Sequence, residues 1–137
     1  MTDGTGILDT NVVIAASSPG FDLTLLPEVQ LITAVTLGEL SAGPLVARSA
    51  EELRVRQARL QMIEELHRGN VLPYDAAAAR IYGGVYADVA TAANRSLRRR
   101  IADLQIAAIA ILHRLPLYTI NVADFRAIRG LQVVPLT

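Results

Sequence analysis

The chain has 137 residues, 52% of them hydrophobic and 19% charged, with a formal net charge of zero; this composition suits one domain with a sizeable core and excludes a disordered tail. Cysteine and lysine are both absent and all 13 basic residues are arginine, which excludes a disulfide framework, a thiol nucleophile, a cysteine-ligated zinc site, a Walker phosphate loop and a Schiff-base lysine. Aromatic residues at 4% leave few rings to stack on bases, which argues against an RRM-like or OB-like platform.

The zero net charge conceals an asymmetry. Residues 1–65 hold nine acids against four arginines, a balance of −5, and residues 66–137 hold four acids against nine arginines, a balance of +5. A basic half can face an anionic polymer while an acidic half holds cations. The apolar run 104–112 is interrupted by Gln105 and is too short to span a bilayer. Asp3 and the lack of an early basic residue do not fit a signal peptide. The expectation is a cytoplasmic protein with no membrane segment, a single domain over 1–137.

In chain order, Gly6-Ile7-Leu8-Asp9 reads as a buried strand ending at Asp9, with a helix starting near Thr10 and a loop at Ser17-Ser18-Pro19-Gly20. A second strand is predicted over 31–35. Thr36-Leu37-Gly38-Glu39 then reads as a capping box opening a helix that Gly43-Pro44 ends or kinks. A long amphipathic helix follows over 51–68, with Leu53, Leu60, Ile63 and Leu66 on its apolar face and Val55 and Met62 widening the stripe. Gly69-Asn70 stops it, and Val71-Leu72 forms a short strand. Asp75 caps a helix over 76–94, where Gly83-Gly84 implies a kink or a close helix contact. Arg95, Arg98, Arg99 and Arg100 crowd together ahead of an apolar helix over 101–113. A strand over 117–120, a turn over 121–125 and a last strand over 131–134 complete the chain. Strands alternating with helices imply an α/β fold, a doubly wound parallel sheet with helices on both faces.

Such sheets work at the carboxyl ends of their strands. Asp9 ends the first strand, Glu39 lies one turn into the helix after the second, Asp103 lies in the first turn of the 101–113 helix and Asp124 lies just past the 117–120 strand. Each acid also has a plain structural use. Asp9 caps a helix, Glu39 completes the capping box, Asp103 complements a helix dipole and Asp124 is a turn acid. Four separate caps need not share one edge, however. Carboxylates gathered there repel, and a hard divalent cation with oxygen ligands, Mg²⁺ or Mn²⁺, relieves the repulsion. Such a cation activates water and steadies a scissile phosphate.

Leu8-Asp9-Thr10-Asn11, Thr36-Leu37-Gly38-Glu39-Leu40, Asp103-x-x-Ile106-Ala107-Ala108 and Thr119-Ile120-Asn121-x-x-Asp124-Phe125 occur in that order. The ordered set resembles the PIN-domain family, most closely the single-domain VapC-type toxins of type II toxin–antitoxin systems, including the FitB-like branch, over nearly the whole chain. The resemblance implies a PIN-like fold and a metal-dependent endoribonuclease held silent by a small VapB-like antitoxin. It also implies a homodimer. The family's acidic positions fall on Asp9, Glu39, Asp103 and the Asn121/Asp124 turn, the catalytic and metal-binding set. Family members differ in whether the first or last residue of that turn supplies the acid, and here Asn121 takes the first place.

Thr10 either hydrogen-bonds into the site or caps the first helix, and Asn121 either orients water or phosphate or shapes the turn. Arg98 and Arg100, with the rest of the run, either grip RNA phosphates, neutralise the acids, pair with an inhibitory partner, or form a solvated loop. His67 and His113 fall at predicted helix C-termini, where a cation suits the dipole, and no catalysis is assigned to them. The apolar stripe of the 51–68 helix is expected to dock the antitoxin. The alternatives are a catalytically weak binding module on the same fold and a phosphoacceptor receiver domain. The intact acid set opposes the first and the missing lysine the second.

Overall fold

The structure, a computed structural model, describes residues 2–92 and 97–136. Five strands and five α-helices are ordered as β1 (Thr2–Leu8), α1 (Thr10–Ala16), β2 (Pro27–Thr33), α2 (Ala34–Leu45), α3 (Ala50–Leu66), β3 (Val71–Leu72), α4 (Ala76–Ala92), α5 (Ile101–His113), β4 (Leu117–Thr119) and β5 (Val133–Pro135). Short 3₁₀ turns occupy Leu23–Leu25, Arg98–Arg100 and Val122–Phe125. The sheet order is β3-β2-β1-β4-β5 with every neighbouring pair parallel, so the predicted doubly wound α/β architecture is correct.

Strand alternation divides the core in two. Ile7, Leu31, Leu72, Leu117 and Val133 point to one face, against Val85 and Val89 of α4 and the apolar α5. Leu8, Ile32, Val71, Tyr118 and Val134 point to the other, against Val12 and Val13 of α1, Leu40 of α2 and Ile63 of α3. Helix α5 is the most deeply sunk, with all six residues Leu104, Ile106, Ala107, Ala108, Ile109 and Ala110 buried. Its hydrophobic sequence is therefore a core helix.

β1 and β4 approach closely at Gly6. A Cβ there would lie 2.8 Å from Tyr118 Cδ1, closer still to Cε1, and 3.1 Å from Pro27 Cγ. Tyr118 is itself buried and cannot swing away. Gly6→Ala is expected to destabilise the fold by about 1–3 kcal/mol through overpacking, read as a lowered midpoint in urea unfolding; an unchanged midpoint would show that the ring has room to move.

Several boundaries differ from the sequence reading. β2 begins at Pro27, an allowed first strand position, and it ends at Thr33 because that side chain turns back on the next helix. Thr33 Oγ1 accepts a hydrogen bond from Thr36 N at 3.2 Å. Thr33, not Thr36, is thus the N-cap of α2, and Glu39 is not its capping-box partner. Pro44 lies in the last turn of α2, which stops one residue later. Ser49 caps α3 through Glu52 N at 3.0 Å, and Asp75 caps α4 through Ala78 N at 3.0 Å, as expected. Helix α4 runs unbroken through Gly83 and Gly84, and among the described residues nothing lies within 4 Å of where their side chains would start, so the close contact is not found there. The predicted end of that helix at Asn94 lies outside the described residues, as does Arg95. β4 stops at Thr119, and β5 is shifted to Val133–Pro135.

Helix α3 departs most from its expected packing. Of its apolar stripe only Ile63 is buried, and Leu60 is half-buried. Leu53, Val55, Met62 and Leu66 are exposed, Leu66 to 68%. His67 at the end of α3 is buried, and desolvation pushes its imidazole below the ordinary range against a backbone hydrogen bond with Gln30. The neutral ring is favoured there, so the cation expected from the helix dipole is not what this position selects.

Candidate active site

Four elements bring acids to the carboxyl edge of the sheet. β1 ends in Asp9, the N-cap of α1. β2 leads into α2, which carries Glu39 in its second turn. β4 leads through Thr119 into the 3₁₀ turn with Asn121 as its cap and Asp124 inside it. α5 precedes a parallel strand, so its N-terminus lies at the carboxyl edge, and Asp103 sits in its first turn. The strand order reverses direction between β1 and β4, the place where open α/β sheets form their crevice.

Asp9 is 2% exposed. Its Oδ1 accepts from Thr10 N at 2.9 Å and its Oδ2 accepts from Thr119 Oγ1 at 2.7 Å. The same Thr119 oxygen accepts from Asn121 N at 3.1 Å, so one hydroxyl fixes both the carboxylate and the start of the turn that carries Asp124. Burial pushes the Asp9 carboxyl above its ordinary value; the hydrogen bonds from Thr119 and Thr10 pull it back, and Glu39 and Asp124 add repulsion.

Glu39 is held by a second hydroxyl. Thr10 Oγ1 donates to Glu39 Oε1 at 2.7 Å and lies 2.8 Å from Thr36 Oγ1. Thr10 has one hydroxyl proton and gives it to the carboxylate, so Thr36 is the donor in the second contact. Thr33 donates in turn to Thr36 at 3.5 Å. Three hydroxyls therefore point their protons along one line that ends on Glu39.

Asp103 is the most perturbed acid. Its carboxyl is pushed up to about 7, first by burial, then by the charges of Asp9, Glu39 and Asp124, while the Arg100 guanidinium pulls it down. Charges on elements separated by up to 115 positions in the chain thus act on one carboxyl. Arg100 donates from Nη2 to the Asp124 carbonyl oxygen and its Nε is buried without a partner. Arg98 is exposed, as is Asn121.

The acids offer only carboxylate oxygens, the donors that hard divalent cations take, and they carry a repulsion that a cation relieves. The donor set therefore fits Mg²⁺ or Mn²⁺. Among the described residues no three such groups are gathered tightly enough to enclose an ion as they stand. Sequence reasoning passed over Thr33, Thr36 and Thr119. Thr119 stands in a quoted motif and Thr36 in another, but a threonine near a strand end carries no signal of which carboxylate it will face.

A model of the PIN domain matches residues 7–131, and the chain belongs to the PIN-domain family. Within that family it falls with the VapC type. It is 37% identical over 130 residues to Ribonuclease VapC5 of Mycobacterium tuberculosis, spanning 94% of this chain and 91% of that one. Its fold matches VapBC-5 from M. tuberculosis, a member of the VapBC family of toxin–antitoxin systems, with a TM-score of 0.74 at 30% identity over 96% of this chain and 98% of that one. It matches FitAcB from Neisseria gonorrhoeae with a TM-score of 0.75 at 28% identity over 95% and 96% of the two chains. No helix among the described residues is long and apolar enough to cross a membrane.

Proposed function

We propose that this chain is the toxin of a type II toxin–antitoxin system and a Mg²⁺- or Mn²⁺-dependent endoribonuclease that hydrolyses RNA phosphodiester bonds in the cytoplasm. The observation that carries the reading is the gathering of four acids from four elements at the carboxyl edge of the sheet, where the Asp103 carboxyl is raised to about 7, first by burial and then by the charges of Asp9, Glu39 and Asp124. Natural folds keep such repulsion where function uses it. The name of the relative Ribonuclease VapC5 supports the nuclease, and the VapBC-5 structure supports a VapB-like partner.

In this reading Asp9, Asp103 and Glu39 would hold the cation, with Asp124 in support. When bound, such a cation would supply activation of water and charge compensation for the scissile phosphate. The chain's own residues prepare the place. Thr119 and the Thr10 amide fix both oxygens of Asp9, and the Thr10 hydroxyl turns Glu39 toward the others. Asn121, exposed at the start of the turn that carries Asp124, and the exposed Arg98 meet the RNA backbone, the arginine supplying charge complementary to phosphate. Attack by water, with the 3′-oxygen as the leaving group, leaves a 5′-phosphate and a 3′-hydroxyl and forms no 2′,3′-cyclic phosphate. The exposed stripe of α3 suits an apolar partner segment, and the functional unit is a homodimer.

Incubation of the purified, antitoxin-free chain with a total RNA pool tests this. Cleavage is expected with Mg²⁺ or Mn²⁺, and is expected to vanish with EDTA and in folded Asp9→Asn, with 5′-phosphate ends on the products. Cleavage that survives EDTA or Asp9→Asn, or products ending in 2′,3′-cyclic phosphate, would reject the four-acid mechanism and favour a binding role for the fold.

A further inference from the structure

Two of the four acids come from segments that the fold does not place side by side through backbone pairing. Asp103 rides on α5, and Asp124 rides on the 3₁₀ turn after β4. Arg100 stands between them. It is the N-cap residue of α5, three positions before Asp103, and provides no side-chain cap to that helix. Its side chain reaches instead 24 positions along the chain, where Nη2 donates to the backbone oxygen of Asp124. Its charge meanwhile acts on the Asp103 carboxyl. Holding a guanidinium here has a cost, since Nε is buried without a hydrogen-bond partner among the described residues. Solvated arginines in a loop do not accept such a cost, and a phosphate grip would leave the fork facing outward.

We infer that Arg100 is a positioning residue of the metal site: it ties the turn carrying Asp124 to the helix carrying Asp103 and so sets the spacing of two ligands before a cation arrives. The inference rests on the proposed metal-dependent reading of the acids. Charge and tether make opposite demands. A positive neighbour repels a divalent cation, so its removal would strengthen binding if charge alone mattered. A lost tether lets the turn drift and weakens binding, and outer partners of metal ligands are worth roughly 10–100-fold in affinity.

The test is calorimetric titration of Mn²⁺ into the purified chain, which requires no RNA. Arg100→Gln is expected to weaken Mn²⁺ binding about tenfold or more while thermal melting shows an intact fold. Arg100→Lys keeps the charge but not the planar fork and is expected to be nearly as weak. In an Asp124→Ala background the Arg100→Gln penalty is expected to disappear, because Arg100 acts through that residue; the non-additivity is the signature that general destabilisation would not produce. Unchanged or tighter Mn²⁺ binding in Arg100→Gln, full rescue by Arg100→Lys, or a penalty that persists without the Asp124 side chain would overturn the tether. Failure of the underlying reading looks different: the wild type itself would bind no Mn²⁺.

Discussion

Asp103→Asn is expected to abolish RNA cleavage and, in the same protein, to raise the melting temperature of the metal-free chain at pH 8. The two effects share one cause. The folded state holds the Asp103 carboxyl at about 7 against an ordinary value of 3.8, so between these values the folded chain binds a proton that the unfolded chain releases. Stability attached to this group is therefore greatest below pH 4, declines as pH rises through 7, and is lowest above it. Asparagine removes the charge and with it the penalty.

After discounting for partial exposure, the gain at pH 8 is about 1–2 kcal/mol, or roughly 3–6 °C in a domain of this size. It should shrink toward zero at pH 4. Added Mn²⁺ should reverse the order, since binding stabilises the wild type by mass action and leaves the variant behind. Removal of a metal ligand should lower cleavage by about a hundredfold or more. Melting curves across pH 4–8 with and without Mn²⁺ check the linkage. A variant less stable than wild type at pH 8 without metal would mean that Asp103 is not the repelled group.

Thr119→Val is the second large effect. Valine matches threonine in shape, so nothing is lost in packing, yet two hydrogen bonds vanish. Asp9 Oδ2, buried with its residue 2% exposed, loses its 2.7 Å donor, and Asn121 N loses its 3.1 Å acceptor. A buried carboxylate oxygen and an amide left without partners cost about 2–3 kcal/mol. The Asp9 carboxyl should climb further, because Thr119 is the strongest of the influences holding it down. Cleavage is expected to fall about 10–100-fold at pH 7. Thr119→Ser, which keeps the hydroxyl, should restore most of the activity. Equal activity in Thr119→Val and wild type would show that Asp9 needs no help in orientation.

How much of this was legible beforehand depends on the range of the interaction. Periodicity and capping are local, so the order of strands and helices, the Asp75 cap and the buried character of α5 could be read directly. The edge location of the four acids followed as well, because parallel connectivity fixes which end of each strand meets which end of each helix. The capping box at Thr36 failed for a related reason. Thr33 and Thr36 are both suitable caps, and the choice went to Thr33 because Thr36 was drawn into a hydroxyl line toward Glu39, a residue that packing and not propensity brings near Thr10.

The α3 stripe shows the same limit from the other side. Its pattern of apolar residues is real, but the single chain has only enough neighbouring surface to cover Ile63 fully. Residue types and their order therefore placed four acids at one edge of a doubly wound sheet. Only the tertiary structure decided which hydroxyl holds which carboxylate, that Arg100 turns inward to the Asp124 backbone, and that Asp103 bears the repulsion, since each depends on distances between segments tens of residues apart that no local sequence pattern encodes.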